Sequence, residues 1–238
     1  MKLDILAIAP HPDDVELHCS GLMLKMVHRG YKTGIVDLTR GEMGTRGTVE
    51  ERNKEASASA KILQSQVRIN LDLPDSQIGC ERSHVIEVIK SIRTYQPDTL
   101  LIPHDVARHP DHSNASSVAS QAAFLAGLDK IDTNQPAFRP KQVIYYFTHY
   151  TYRDLNPSFI VDISPYFEKK MDAVKAFKSQ FFNPNANSEP ATYISRPEFL
   201  SEIDAQNRYY GSLIDVQYGE PYIIREYLAI DDPVAYFK

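Results

Sequence analysis

The first half of the chain alternates short apolar runs with longer segments of helical pattern, and this alternation is the strongest constraint on its fold. The apolar runs are LDILAIA, KTGIVDLT and QPDTLLIP, and each has the length and composition of a buried strand. The helical segments are GLMLKMVHRG, VEERNKEASASAKILQ, a stretch carrying Val85, Ile86, Val88, Ile89 and Ile92, and SNASSVASQAAFLAG. Strands that alternate with helices predict βαβ units with right-handed crossovers. The expected fold is therefore α/β, a Rossmann-like three-layer sandwich around a mostly parallel sheet.

Capping residues and a looser second half complete the predicted outline. Thr48 and Glu51 have the spacing of a capping box, and Ser83 is a candidate cap for the next helix. After residue 140 the chain reads QVIYYFTHY, PSFIVDIS, the helix-like PYFEKKMDAVKAFKSQF and NPNANSEPAT, a polar segment typical of a surface loop. No repeat, low-complexity tract or linker divides the sequence, so residues 1–238 are expected to form a single domain.

Composition excludes several functional classes. The 238 residues carry a net charge of −5 and a pI near 5.9, which gives no basic surplus for nucleic acid, so a small polar ligand is expected. The sequence shows neither a signal-peptide pattern nor the ~18 apolar residues of a membrane span, and we expect a cytoplasmic protein with no membrane partner. Cys19 and Cys80 cannot form a disulfide framework and are expected to be buried free thiols. The first predicted strand is not followed by a Gly-x-Gly-x-x-Gly turn, which argues against a dinucleotide cofactor.

Two segments rich in histidine and aspartate follow predicted strands. The first, APHPDD, contains His11, Asp13 and Asp14. The second, TLLIPHDVARHPDH, contains His104, Asp105, His109, Asp111 and His112. Because the loops after parallel strands emerge at one edge of a sheet, where open α/β folds bind ligands, the two segments are expected to converge. The tripeptide HPD, written at 11–13 and again at 109–111, therefore predicts a metal site.

The chemistry of these side chains suits a divalent ion. Imidazole and carboxylate groups bind zinc and similar metals, and a catalytic zinc usually has three protein ligands, which His11, one aspartate and one distal histidine would supply. Adjacent side chains of an extended segment point in opposite directions, so a second aspartate can take a proton from the attacking water. A further histidine could stabilise the oxyanion or protonate the leaving amine. Spacing leaves the ligands open between Asp13 and Asp14, and among His104, His109 and His112.

The motifs resemble those of a known family. The segments AIAPHPDDVELHCSG and HPDH, joined by DLTRGEMGTRGTVEERNKEA and NLDLPD, resemble the LmbE-like (PIG-L-like) zinc-dependent N-acetylglucosamine deacetylases. Within that family the chain is most similar to the bacillithiol-biosynthesis deacetylases, which remove acetate from N-acetylglucosaminyl malate. The resemblance is close over about the first 120 residues and looser afterwards, where it includes YGEPY. It implies a hydrolase that releases acetate and a free amine from an N-acetylglucosamine conjugate.

The resemblance also implies a role for individual residues. The zinc ligands would be His11, Asp14 and His112, and the same ligand set permits Fe²⁺. The general base would be Asp13. His109 would stabilise the tetrahedral oxyanion or act as the acid, oriented by Asp111.

Three arginines are candidates for contacts with the substrate. Arg52 is expected to contact sugar hydroxyls. An acidic aglycone such as malate needs a cationic partner, and Arg46, Arg52 and Arg108 are the candidates, since a guanidinium can hold a carboxylate with two hydrogen bonds. The family and the aromatic-rich later segments suggest a homo-oligomer, and a hexamer is one assembly that would fit.

Other functions stay open at this point. Another N-acetylglucosaminide is the alternative substrate. A metal-dependent phosphoesterase could use the same residues, although it usually needs two metals and more carboxylates. A sugar-binding or scaffold protein with a structural metal would close its shell with four protein ligands, which would leave Asp13 and His109 without a role. His18 is expected to be a surface or core histidine, although its position would also let it approach the site. The tyrosines of YYFTHYTY are expected to pack as a strand, with a sugar pocket or a subunit interface as the alternatives, and His149 and Tyr193 receive no role.

Overall fold

The structure is a computed structural model, and it describes residues 1–148, 155–184 and 190–236. His149, the last tyrosines of YYFTHYTY and the middle of NPNANSEPAT lie outside the described residues. Within the described part of the chain, seven strands form one sheet. They are β1 (Ile5–Ala9), β2 (Thr33–Asp37), β3 (Val67–Asn70), β4 (Thr99–Pro103), β5 (Gln142–Tyr146), β6 (Phe159–Asp162) and β7 (Gly219–Ile223).

The order of the strands is β3-β2-β1-β4-β5-β7-β6. The first five strands of this order pair in parallel, whereas β7 is antiparallel to both of its neighbours, β5 and β6. The chain therefore starts in the middle of the sheet at β1, builds outward to β3, and returns to the other side of β1 with β4. The sheet is mostly parallel, as the alternation of strands and helices predicts.

Eight α-helices cover the sheet in the described ranges. They are α1 (Asp14–His18), α2 (Ser20–His28), α3 (Val49–Leu63), α4 (Arg82–Tyr95), α5 (Pro110–Leu125), α6 (Phe167–Lys175), α7 (Pro197–Ser212) and the short α8 (Pro233–Tyr236). A 3-10 turn, Ser164–Tyr166, precedes α6. None of the helices in the described ranges is both long enough and apolar enough to cross a membrane.

Alternate residues of the central strands face two separate cores. In β1, Leu6 and Ile8 point toward the core that α4 and α5 cover. Ile5 and Ala7 of the same strand point to the opposite core, which α1 and α2 cover. Strands buried on both faces read as continuous apolar runs, which explains why LDILAIA lacks polar alternation. Helices on both faces of a mostly parallel sheet confirm the three-layer α/β prediction.

Several local predictions can be compared with the structure. The capping box of α3 is present, since the Thr48 hydroxyl accepts from the Glu51 N–H and the Glu51 carboxylate accepts from the Thr48 N–H. The prediction that Ser83 caps α4 is wrong, because the helix begins at Arg82 with Glu81 at its N-cap. Cys19 is a buried free thiol as expected, but Cys80 is exposed.

The start of α5 differs from the prediction in a way that affects the site. The sequence pattern places the helix start at residue 113 and the HPDH motif in a loop. In the structure the helix begins at Pro110, with His109 as its N-cap, so Asp111 and His112 lie in its first turn. Proline is favoured at the first helical position because the amide hydrogen it lacks has no helical partner there.

Candidate metal centre

The two HPD segments meet where the sheet reverses its direction of growth. β1 pairs with β2 on one side and with β4 on the other, so the loops that leave β1 and β4 diverge toward opposite halves of the sheet. A crevice forms at such a point, and open α/β folds bind their ligands there. Pro10 to Asp13 leave β1 into this crevice, and residues 104–109 leave β4 beside them.

Three side chains from these segments form a compact group of metal-binding atoms. The candidate ligand atoms of His11, Asp14 and His112 all lie within 4.8 Å of one another. Nδ1 of His11 is 3.3 Å from Oδ2 of Asp14, and Nε2 of His112 is 3.3 Å from Oδ1 of the same carboxylate. Asp14 is the first residue of α1 and His112 lies in the first turn of α5, so the two helix starts converge on one carboxylate.

A second group of three, His11, His109 and Asp111, also lies within 4.8 Å, and the surroundings of His11 decide between them. Nε2 of His11 is 3.2 Å from Oδ1 of Asp75 and 3.3 Å from Oδ2 of Asp111. Nε2 therefore faces two carboxylates and Nδ1 faces one, so a metal held beside Asp14 would take the place of the Nδ1 proton while Nε2 continued to donate to Asp75 and Asp111. Metal-bound histidines commonly donate their other N–H to a carboxylate in this way. The arrangement favours the group His11, Asp14 and His112.

Two of the three side chains have the protonation state that a divalent cation needs. Burial lowers the pKa of His112 to about 4, against the opposing effect of Asp14, so the imidazole is neutral at physiological pH. Burial alone would raise the pKa of Asp14, but His112 and His11 together lower it well below its usual range. Metal ligands must be deprotonated, and a neutral imidazole with an ionised carboxylate meets that condition. Burial lowers the pKa of His11, but its hydrogen bonds to Asp111, Asp14 and Asp75 outweigh burial and raise that pKa well above its usual value, so a metal would displace a proton from His11. Two histidines and one carboxylate are also a ligand set that zinc accepts.

Asp13 differs from its neighbour in both backbone and charge. Its φ of 125° lies in a region that side chains other than glycine rarely adopt, and such strain is typical of functional sites. Asp13 is buried, and Oδ2 accepts a hydrogen bond from Nη2 of Arg52 at 3.2 Å. Burial raises the pKa of Asp13 to about 7, although Arg52 lowers it and Asp14 raises it further. A carboxylate with a pKa near neutrality beside a metal site has the properties of a general base.

His109 and Asp111 interact through the backbone. The exposed His109 caps α5, and its Nδ1 accepts the N–H of Asp111 at 3.2 Å. The Asp111 carboxylate instead faces Nε2 of His11 and accepts the N–H of Ser76 at 2.8 Å. The resemblance implies that Asp111 orients His109, but in the structure the backbone makes that contact and the carboxylate supports His11. The early start of α5 is the reason, because it turns the Asp111 side chain away from the capping residue.

The three arginines occupy different places. Arg52 is buried in the wall of the crevice, where it binds the carbonyls of Gly41 and Pro12 as well as Asp13. Arg46 is also buried, but its side chain donates to the carbonyls of Ser179 and Pro190, and it is not among the described residues that line the crevice. Arg108 is exposed and lies on the wall of the crevice.

The structure adds one residue that sequence reasoning missed and removes one that it considered. Asp75 is buried, contacts His11, and accepts the N–H of Met43 at 2.9 Å. Its signal was its place in NLDLPD, just beyond β3 at the same edge of the sheet. His104 stays outside both metal-binding groups, because its Nδ1 accepts the N–H of Val106 in its own loop. His18 lies nearer, with Nε2 3.7 Å from Oδ1 of Asp14.

The crevice around these residues is large enough for a sugar. Its volume is about 500 Å³. The candidate ligands His11, Asp14 and His112 line the crevice together with Asp13. The described apolar residues and the tyrosine of its wall are Leu17, Met43, Pro110, Tyr193, Ile194 and Phe199. Fold and site together define a class of α/β proteins in which a His/Asp group that could hold a metal ion lies at the switch point of the sheet, with a further buried carboxylate beside it.

Comparison with known proteins identifies the family. A family model described as PIG-L, GlcNAc-PI de-N-acetylase, matches residues 6–123. Diacetylchitobiose deacetylase of Thermococcus kodakarensis is 31% identical over 192 residues, which cover 74% of this chain and 70% of that protein. The chain therefore belongs to the PIG-L family of deacetylases, as the HPDD and HPDH motifs predict.

Solved structures agree with this assignment. The conserved protein TT1542 from Thermus thermophilus is 35% identical, with a TM-score of 0.86 over 96% of this chain and 98% of that chain. N,N'-diacetylchitobiose deacetylase from Pyrococcus horikoshii is 25% identical, with a TM-score of 0.79 over 92% of this chain and 82% of that chain. The fold of the whole described chain is thus shared with these proteins.

Proposed function

We propose that this protein is a metal-dependent deacetylase that hydrolyses the N-acetyl group of an N-acetylglucosamine conjugate. The observation that carries the proposal is the pair of adjacent aspartates in the crevice. Asp14 belongs to the metal-binding group, while Asp13 is buried beside that group and outside it. A site that only held a structural metal would have no use for the second, strained carboxylate.

The proposed roles follow from the contacts of each residue. His11, Asp14 and His112 hold the metal, zinc or Fe²⁺, which when bound polarises the acetamide carbonyl as a Lewis acid. Asp13 takes a proton from the water that attacks the carbonyl carbon, and the proton passes to the nitrogen as the C–N bond breaks. His109, whose ring centroid is 5.0 Å from that of His11, stabilises the oxyanion or assists protonation of the amine. Acetate and the free amine leave.

N-acetylglucosaminyl malate is the proposed substrate, and another N-acetylglucosaminide is the alternative. The two related diacetylchitobiose deacetylases are named for a substrate with the same acetamido sugar. Of the three candidate arginines, Arg108 is proposed to bind the malate carboxylate, because it is exposed on the crevice wall. Arg46 and Arg52 are both buried. We also propose a cytoplasmic homo-oligomer, for which light scattering after size-exclusion chromatography would test the hexamer.

A free-amine assay on purified protein tests the function. The panel contains N-acetylglucosaminyl malate, diacetylchitobiose and N-acetylglucosamine, with metal content measured on the same sample. We expect stoichiometric amine and acetate from at least one glucosaminide, with the highest kcat/KM for the malate conjugate. Turnover of a phosphate ester but of no amide would indicate a phosphoesterase instead. A tightly held metal without any turnover would indicate a structural site.

A further inference from the structure

Arg52 has contacts that assign it a different role from the sugar ligand that the resemblance implies. Its Nη2 donates to the carbonyl oxygen of Pro12 at 2.7 Å and to Oδ2 of Asp13 at 3.2 Å. Its Nη1 donates to the carbonyl oxygen of Gly41 at 3.1 Å. Only 5% of its surface is exposed. A single guanidinium thus joins the first HPD segment to the loop that follows β2.

We infer that Arg52 is a positioning residue that holds the backbone and carboxylate of Asp13 in the orientation needed for proton transfer. The inference rests on the proposed function, in which Asp13 is the base. Arg52 acts through Asp13 and does not need to touch the substrate.

The strained backbone explains why such a residue is needed. The Asp13 φ of 125° describes rotation about its N–Cα bond, and the Pro12 carbonyl belongs to the peptide plane on one side of that bond. Arg52 holds this carbonyl. On the other side, the Asp13 carbonyl accepts the N–H of Leu17 at 3.0 Å, which starts α1. Strained conformations persist only where surrounding contacts hold them, and these two contacts fix both peptide planes.

The loop after β2 is shaped to admit the guanidinium. Gly41 has a φ of 67°, and a Cβ atom built on it would overlap Nη1 and Cζ of Arg52. A Cβ atom on Gly44 would lie 3.3 Å from Nη1. The Gly41 carbonyl accepts from both Arg52 and the Gly44 N–H, which is 3.0 Å away. The glycines of RGEMGTRG thus leave the space that the Arg52 guanidinium occupies. A side chain at Gly41 would displace the guanidinium without changing Arg52 itself.

The experiment compares three variants that disturb this contact with two matched controls. Arg52→Met removes the guanidinium, and Arg52→Lys keeps the positive charge but not the two separate NH₂ groups of the guanidinium. Gly41→Ala displaces an intact guanidinium. Arg93→Met is the control for losing a buried arginine, since Arg93 binds the carbonyls of Ala126, Leu128 and Ile131 far from the site. Gly30→Ala is the control for a side chain at positive φ, because Gly30 has a φ of 88° and no atom within 4 Å of its Cβ position.

We expect the loss to fall on kcat. Arg52→Met should lower kcat about 100-fold, the size of effect that a displacement of about 1 Å can cause, with KM changed less than about threefold. Arg52→Lys and Gly41→Ala should each lower kcat about tenfold, because each leaves part of the contact in place. Metal content should stay at the wild-type level. The two control variants should keep wild-type kcat, whatever their melting temperatures.

A double substitution distinguishes a positioning role of Arg52 from direct binding of the substrate. If it acts through the Asp13 carboxylate, adding Arg52→Met to Asp13→Asn should lower the residual kcat by less than about threefold, since coupled residues are not additive. A full additional loss, or a KM raised more than about tenfold at unchanged kcat, would show that Arg52 is a substrate ligand and overturn the inference. Loss of metal together with activity would overturn it as well.

Crystal structures of the same variants make the inference independent of the substrate. In Arg52→Met, the Asp13 φ should return to negative values or its carboxylate should move by about 1 Å or more. An unchanged Asp13 would refute the positioning role even if the enzyme were slow. If the wild type turned over none of the glucosaminides, the proposed function would fail, and these structures would still decide whether Arg52 holds Asp13.

Discussion

Two identical neighbours, Asp13 and Asp14, receive opposite electrostatic environments. Asp14 faces the imidazoles of His11 and His112, which favour its ionised form and lower its pKa. Asp13 lines the crevice but is buried beside a single guanidinium, and burial raises its pKa to about 7. Environments that push the pKa values of two carboxylates apart commonly mark one as a ligand or stabiliser and the other as an acid or base. The turn at Pro12 and Asp13 places the two adjacent carboxylates in different surroundings, and their pKa values differ for this reason.

Substituting Asp13 by asparagine tests this division directly. The amide keeps the size of the side chain but cannot take a proton from water, so kcat should fall by about 10² to 10⁴. The metal ligands remain, and metal content should stay near that of the wild type. Activity is measured by amine release and metal by atomic absorption on one preparation.

The companion variant His112→Ala should lose metal and activity together, because only two of the three ligands remain. Wild-type turnover by Asp13→Asn would show that another group is the base. Loss of metal in Asp13→Asn would show that the two aspartates had been assigned in the wrong order.

Asp111→Asn tests whether Asp111 serves His11 or His109. The carboxylate is 3.3 Å from Nε2 of His11, and removing an outer partner of this kind typically weakens metal binding by about 10-fold to 100-fold. We therefore expect weaker zinc binding, measured by competition with a chromogenic chelator. Asp105→Asn is the control, since this exposed carboxylate pairs with Arg225 and should not affect metal. Unchanged zinc affinity with a reduced kcat would support the role through His109 that the resemblance implies.

The sequence was sufficient to locate the site but not to assign its histidines. Two HPD segments at the ends of parallel strands must emerge at one edge, so their convergence follows from topology. The start of α5 determines which of the later histidines faces Asp14, and the local sequence specifies the first residue of a helix only weakly. A start at Pro110 brings His112 to Asp14 and leaves His109 at the cap. The sequence does not single out Asp75, because NLDLPD carries two aspartates and no histidine that would distinguish either of them as part of a metal site.

At the scale of single elements, the capping box of α3 makes a testable contribution to stability. Thr48→Ala removes the hydroxyl that accepts the Glu51 N–H and should lower the free energy of unfolding by about 1 kcal/mol. Ser57→Ala is the control on the same helix, since its exposed hydroxyl bonds only the Asn53 carbonyl and alanine is the better helix former. Urea denaturation of both variants measures the difference. Equal stabilities would mean that tertiary contacts alone hold the start of this helix.

Elements that bury charged side chains escaped prediction. Strand β3 contains Arg68, whose guanidinium pairs with the buried carboxylates of Asp37 and Glu16. Strand β7 contains Glu220, which is 1% exposed and accepts from Lys170 and from the N–H groups of Gly21 and Leu22 at the start of α2. Periodicity treats a charged residue as exposed, so such strands look like loops. Buried charges that find partners only through the fold cannot be recognised from local sequence.

At the scale of the whole molecule, the two halves of the chain contribute different residues to the site. The ligand group, Asp13 and His109 all lie within residues 6–123, the range that the family model matches. The described residues of the crevice wall that come from beyond this range are Thr148, Gln180, Tyr193, Ile194 and Phe199. The order of the strands places β5, β7 and β6 beside β4, which brings these later segments to the crevice. The range that the family model matches therefore contains the candidate catalytic residues, and the later segments complete the wall of the crevice.

Metal binding should stabilise the entire fold, because two of its three proposed ligands, Asp14 and His112, come from α1 and α5 on opposite faces of the sheet. An ion that binds only the folded chain at a concentration of 100 times its Kd adds about 2.7 kcal/mol. For a chain of this length, about 1 kcal/mol corresponds to about 2–4 °C in Tm, so zinc should raise the Tm of the metal-free protein by about 5–10 °C. Differential scanning fluorimetry measures this shift on protein stripped with a chelator, with His112→Ala as the matched variant. The variant should show little or no shift, because both halves of the site are needed to hold the ion. An equal shift in both proteins would place the stabilising metal elsewhere, and the ligand assignment would then be wrong.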